Sequence, residues 1–184
     1  MIRRPLSSFF RFGLMTTVLV LLGACAQPVT PSAMVPDVTG ISTGPASVYR
    51  GAIGVGQVSG GHPTSSLGVS QVSDADLRDA LVRTLMEAGL GQTSGSRFQL
   101  DATLQRLEQP FAGFAMTVTA TIAYRLTEVA TGRVVYDNTI TTPATATLDD
   151  AIDGNARLKI ANERAVRANL RQLIEALYAL PARG

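Results

Sequence analysis

The sequence predicts an α+β domain: a two-layer sandwich in which a four-stranded, mostly antiparallel sheet carries two helices on one face, in the order β-α-β-β-β-α. Three observations predict it. Two segments, 98–104 and 114–126, alternate apolar and polar residues with a period of two, as half-buried strands do. Two others, one opening at Ser73 and one ending at Leu180, repeat apolar residues at helical spacing. The reversal Ala130-Thr131-Gly132 joins the second alternating segment to a third, β-branched one.

The first strand is expected over 49–58, with Ile53 and Val55 on one face and Gly51, Gly54 and Gly56 relaxing an edge strand. A polar, glycine-rich loop follows over 59–66. Ser73 then supplies an N-cap with Asp76 three residues on, Asp74 adds charge in the first turn, and Val72 is placed to staple against Leu77. Leu77, Leu81, Leu85 and Ala88 form the apolar face of that helix, and Gly89 stops it. In the next strand Phe98, Leu100, Ala102 and Leu104 oppose Gln99, Asp101, Thr103 and Gln105. In the one after, Phe114, Met116, Val118, Ala120, Ile122, Tyr124 and Leu126 oppose Thr117, Thr119, Thr121, Arg125 and Thr127. The last strand is expected over 133–142, ended by Pro143. A long helix over 158–180 carries Ala161, Ala165, Leu170, Leu173, Leu177 and Leu180, with an extra turn around 148–153 ahead of Gly154. Both helices are expected to cover the Phe114, Met116, Val118 and Ile122 face. The face bearing Thr117, Thr119, Thr121 and Arg125 is then open to water or a partner, and is the candidate partner face.

Ahead of this domain the chain has a basic start (Arg3, Arg4, Arg11), an apolar run over 12–22, and Leu22-Gly23-Ala24-Cys25. Cys25 is the only cysteine. The run is short of the roughly 20 apolar residues that a membrane span needs. The segment resembles the signal and lipobox of bacterial lipoproteins, which implies a diacylglyceryl group on the Cys25 thiol, cleavage between Ala24 and Cys25, and acylation of the new terminus. Ala26 and Gln27 follow the cysteine, so the aspartate of the enteric inner-membrane retention signal is absent; the expected address is the outer membrane, with the domain in the periplasm. The expected organisation is a signal over 1–24, the acylated cysteine and a proline-rich tether over 25–47, a single domain over 48–180, and a tail over 181–184. Pro28, Pro31, Pro36 and Pro45 would hold the tether extended; the alternative is that part of it packs on the domain.

The precursor has 16 basic and 14 acidic side chains; losing Arg3, Arg4 and Arg11 with the signal leaves 13 against 14, a net charge of −1. The basic pI near 9.0 therefore belongs to the precursor and argues neither for nucleic acid nor for an anionic surface. With Cys25 acylated, disulfides and cysteine metal sites are excluded.

No catalytic constellation is evident. His62, the one histidine, lies in the 59–66 loop, where an exposed loop residue is the plainer reading than a base. Gly54-Val55-Gly56-Gln57-Val58-Ser59 lacks the third glycine of a dinucleotide fingerprint. Asp149, Asp150 and Asp153 suit a helix start better than a cation site. Arg164, Arg167 and Arg171, with Arg157 further up, form a solvated stripe or a dock for an acidic partner or lipid phosphate.

The lipobox, tether, strand, capped helix, three-strand meander and long final helix together resemble the lipopolysaccharide-assembly lipoprotein family and its uncharacterised periplasmic relatives. The likeness is carried by 73–90, 98–108 and 162–180. Auxiliary lipoproteins of ABC-type lipid exporters share similar elements. The resemblance implies a noncatalytic, lipid-anchored component of outer-membrane biogenesis, without cofactor or metal. Its expected partners are the membrane through Cys25, an envelope protein and, secondarily, a glycolipid; nucleic acid is not among them. An envelope acyltransferase is the enzymatic alternative, and it would have to use His62.

Overall fold

The computed structural model describes residues 26–41, 48–65 and 68–181. The signal segment and Cys25 lie outside the described residues. The first helix, α1 (Asp74–Glu87), is bounded by the signals its sequence carries. Asp76 N–H donates to Ser73 Oγ at 3.1 Å and Ser73 N–H donates back to Asp76 Oδ2 at 3.4 Å, a reciprocal capping box. At the other end Gly89 takes φ +66°, and the N–H groups of Gly89 and Leu90 donate to Met86 O and Leu85 O. That closure satisfies the last carbonyls and turns the chain sharply toward the sheet.

Strand β1 (Ile53–Ser59) pairs parallel with β2 (Phe98–Glu108), and α1 is the crossover between them. Strands β3 (Met116–Glu128) and β4 (Val134–Ala146) extend the sheet by antiparallel pairing, so the spatial order is β1-β2-β3-β4. Helix α2 (Gly154–Tyr178) lies over β3 and β4 while α1 lies over β1. The core is the single layer between them: Phe98, Leu100, Val118, Ile122 and Leu126 from the sheet meet Leu77, Leu81, Leu170 and Leu173, all buried. A buried polar network around Asn169 crosses it. Tyr124 O–H donates to Asn169 Oδ1 at 2.8 Å, and Asn169 Nδ2 donates to Ile140 O at 2.8 Å and to Thr142 Oγ1 at 3.2 Å. Burial pushes the Tyr124 hydroxyl pKa well above its usual range.

Four elements differ from the sequence expectation. Strand β4 runs through Pro143 to Ala146, because β4 is an edge strand and an edge position can lack an N–H donor without breaking a ladder bond. Strand β3 begins at Met116, and Phe114 stands 81 % exposed in the preceding loop instead of joining the helix-covered face. Strand β1 begins at Ile53, four residues later than expected, because the chain over 48–52 is a turn; the turn expected around 148–153 is present, with Thr147 N–H donating to Asp150 Oδ2 at 2.9 Å. Helix α2 starts four residues earlier than expected, at Gly154, since Asp153 caps it by accepting from Ala156 N–H at 2.8 Å.

The chain ahead of the domain is docked over its described part, 26–41, and this is the packed alternative to an extended tether. Val29 and Met34 are buried, and the 3-10 turn Pro31–Met34 packs on both helices. Thr30 N–H donates to Glu163 Oε1 at 2.7 Å, Arg167 Nε donates to Ala33 O at 2.7 Å, and Arg171 Nη1 donates to Asp37 O at 2.6 Å. The segment therefore runs along α2 in the direction of the helix.

Candidate partner-binding face

The sheet face turned away from the helices is built by cross-strand pairing of the odd-numbered residues of β3 and β4. Thr117, Thr119, Thr121 and Arg125 all lie on it, as their alternation requires. Thr117 faces Thr145 with hydroxyls 2.9 Å apart, and Thr121 faces Thr141 at 3.1 Å. Thr119 is paired between Glu108 and Pro143. Arg125 stands between Asp101 on β2 and Asp137 on β4, and its Nη2 donates to Asp137 Oδ2 at 2.8 Å. Both side chains of that pair are more than half exposed, at 59 % and 53 %, so the pair contributes little to stability and is available to a partner.

A depression of about 380 Å³ sits at the centre of this face, lined by Asp101, Thr103, Ala123, Arg125, Asp137 and Thr139. Its floor is low because the small Ala123 lies in register between Thr103 and Thr139. Asp101 is positioned by the β1 bulge: its Oδ1 accepts from Gln57 N–H at 2.6 Å. Gly56 leaves room for it, since a Cβ there would lie 2.1 Å from Asp101 Oδ1 and would displace the carboxylate. Sequence reasoning marked the β3 half of the face and missed Asp137, Thr139, Thr141 and Thr145, whose odd-position alternation in β4 was the available signal. It also treated Arg125 as a lone charge, whereas its guanidinium is shared with Asp137.

The other candidates are dispersed. His62 is an exposed loop residue whose N–H donates to Val72 O at 2.9 Å. Asp153 is the α2 cap, and Asp150 pairs with Arg164 at 2.8 Å. The Arg164 hydrogen bond, followed by that of the Thr147 N–H, holds the Asp150 carboxyl down at about 2. Among the described residues no group of three or more His, Cys, Asp or Glu could hold a metal ion. Arg167 and Arg171 are engaged by the backbone of the docked segment, and a depression of about 430 Å³ lies beside them, lined by Pro36, Asp37, Arg164 and Arg171. The arginine stripe thus has an intramolecular use. His62 lines neither depression.

No model of a known protein family matches the chain, and no curated protein matches it. Solved structures do. A DUF330-family protein from Xanthomonas campestris is 17 % identical, with a TM-score of 0.55 over 75 % of this chain and 90 % of that one. The PelC dodecamer from Paraburkholderia phytofirmans is similar at 14 % identity and a TM-score of 0.51, over 75 % of this chain and 94 % of that one. A hypothetical protein from Chlamydia trachomatis, 9 % identical, has a TM-score of 0.51 over 72 % of this chain and 99 % of that one. These likenesses define the class by fold: a four-stranded mixed sheet with two helices, an α+β architecture found in several bacterial proteins. Among the described residues no helix is long and apolar enough to cross a membrane.

Proposed function

We propose that this chain is a noncatalytic lipoprotein of the bacterial outer membrane, anchored through acylated Cys25, that presents its polar sheet face to an envelope protein during outer-membrane assembly, in the manner of lipopolysaccharide-assembly lipoproteins. The observation that carries the binding role is the asymmetry of the sheet. Both helices serve one face, and the other keeps threonine hydroxyls on β3 and β4 with a charged depression lined by Asp101, Arg125 and Asp137. The Leu22-Gly23-Ala24-Cys25 motif carries the anchor. Hydrogen bonding to such a face selects by matching polar groups, and a partner that left Asp101 or Asp137 buried and unpaired would be rejected.

Two experiments test the two halves. Cys25→Ser is expected to accumulate as unprocessed precursor that takes up no labelled palmitate; a labelled serine variant that fractionates like the wild type would refute the anchor. Thr119→Glu with Arg125→Glu places one carboxylate between Asp101 and Asp137 and another beside Glu108, and is expected to abolish crosslinked recovery of the partner while shifting the melting temperature little. Undiminished recovery in that variant, with recovery lost in His62→Ala, would transfer the function away from the sheet.

A further inference from the structure

One end of the domain is apolar in a way the core does not explain. Of the eight large apolar side chains exposed among the described residues, five stand on three loops that meet there: Val69, Phe111, Phe114, Leu148 and Ile152. Phe111, Ile152 and Phe114 are 106 %, 90 % and 81 % exposed. Single exposed apolar residues are ordinary, but a cluster on adjoining loops marks a contact surface. The loops are held in place. Buried Arg157, in the first turn of α2, donates to Ala151 O at 2.9 Å and to Gly113 O at 3.1 Å, tying the 147–153 turn to the 109–115 loop. Gln109 Nε2 donates to Ser70 O at 2.7 Å and to Asn162 Oδ1 at 2.9 Å, tying in the third. Buried guanidinium and amide groups fix the backbone and leave the aromatic and aliphatic side chains outside.

The chain itself indicates what covers this end. The docked segment runs from Thr30, held by Glu163, to Asp37, held by Arg171, so traced backwards it heads for the first turn of α2 and the apolar loops. Glu163 is six residues from Arg157, about 9 Å along the helix. Thr30 is five residue steps from Cys25, a reach of at most about 18 Å. Ala26, the first described residue, is already buried, so little free chain lies between the acylation site and the domain. The acyl chains and the apolar loops therefore leave the molecule at the same end. The stretch 109–116 carries no charge, Asp150 is paired with Arg164 and Asp153 is spent on the helix cap, leaving Asp149 as the tip's one carboxylate without such a role.

We propose that this end is a second membrane contact: Phe111, Phe114, Leu148 and Ile152 enter the interface of the leaflet that holds the Cys25 acyl chains. The inference rests on the acylation proposed above. The loop backbones stay at headgroup depth, where water still satisfies their polar groups, and only side chains reach the hydrocarbon. The strands then stand upright on the membrane, and the polar sheet face looks sideways along it.

The chain contains no tryptophan, so single reporters can be introduced. Phe111→Trp, Ile152→Trp and, on the sheet face, Thr119→Trp are purified as acylated protein. Each is mixed with phosphatidylethanolamine and phosphatidylglycerol vesicles, with and without brominated acyl chains, after melting curves confirm the fold. The tip reporters are expected to shift to shorter wavelength and lose intensity with brominated lipid, and the Thr119→Trp reporter to do neither. Mass analysis of the N-terminal peptide and flotation with vesicles read the anchor separately. Acylated protein that floats while its tip reporters stay wet and unquenched overturns the tip alone; unacylated protein whose tip is quenched overturns the anchor alone. Tip reporters shielded in native membranes and not in vesicles overturn the bilayer as occupant in favour of a protein.

Discussion

Leu81→Ala is expected to destabilise the domain by about 2–5 kcal/mol, while Thr119→Ala changes stability by no more than about 0.5 kcal/mol. Leu81 lies in the middle of α1, fully buried in the layer shared with the sheet. Truncation there removes apolar contacts and leaves a cavity that both helices and the sheet would have to close together. Thr119 is on the opposite side of the sheet, and no side-chain hydrogen bond like those of Thr117 and Thr121 is formed by its hydroxyl. Denaturant unfolding of the two variants checks the ranking. If Thr119→Ala proved the more damaging, the strand register would be inverted, and with it the identity of the open face.

The parts of the fold that were legible are those where local chemistry and tertiary demand coincide. Ser73 and Asp76 cap a helix by hydrogen bonds within four residues, and Gly89 supplies the positive φ that ends it, so no distant partner is needed to read either boundary. The alternation of β2 and β3 was equally plain because one face is buried along the whole of β3 and along β2 as far as Leu104. What was hidden depends on groups that every sequence carries. The 26–41 segment is held through backbone atoms of Thr30, Ala33 and Asp37 and by Ala26, Val29, Met34, Val38 and Ile41, apolar residues set among Pro28, Pro31 and Pro36 in no strand-like alternation. Its prolines therefore read as a tether. The arginines that grip it were visible, but nothing in their spacing says that their acceptor is the same chain.

Phe114 shows how a correct period can be extended too far. Its parity matches Met116 and Val118, so the pattern places it in the core, but the chain leaves the sheet at Ala115 and its ring goes to the tip. Half of the candidate face was missed for a related reason. Strand β4 was recognised by β-branched content, and content does not say which residues face outward; pairing with β3 does, at Arg125 with Asp137 and at Ala123 with Thr139. The depression at Ala123 exists only through that pairing.

Asn169→Leu is expected to cost about 1–3 kcal/mol, although it replaces a polar core residue by an apolar one of similar length. Asn169 is fully buried and its amide joins three elements: it accepts from Tyr124 O–H on β3 and donates to Ile140 O and Thr142 Oγ1 on β4. Leucine would fill the space and leave the hydroxyl of Tyr124, a residue only 1 % exposed, without that partner. The penalty belongs to that stranded hydroxyl more than to the lost bond. Removing it as well should therefore help: Tyr124→Phe combined with Asn169→Leu is expected to be more stable than Asn169→Leu alone, giving a coupling energy of about 0.5–3 kcal/mol in a double-mutant cycle. Thr142 retains its hydrogen bond to Ala165 O in every corner of the cycle, at 2.9 Å, so the helix stays registered on β4 while the pair is varied. Strictly additive losses would show that Asn169 acts through the β4 groups and that its contact with Tyr124 carries no weight.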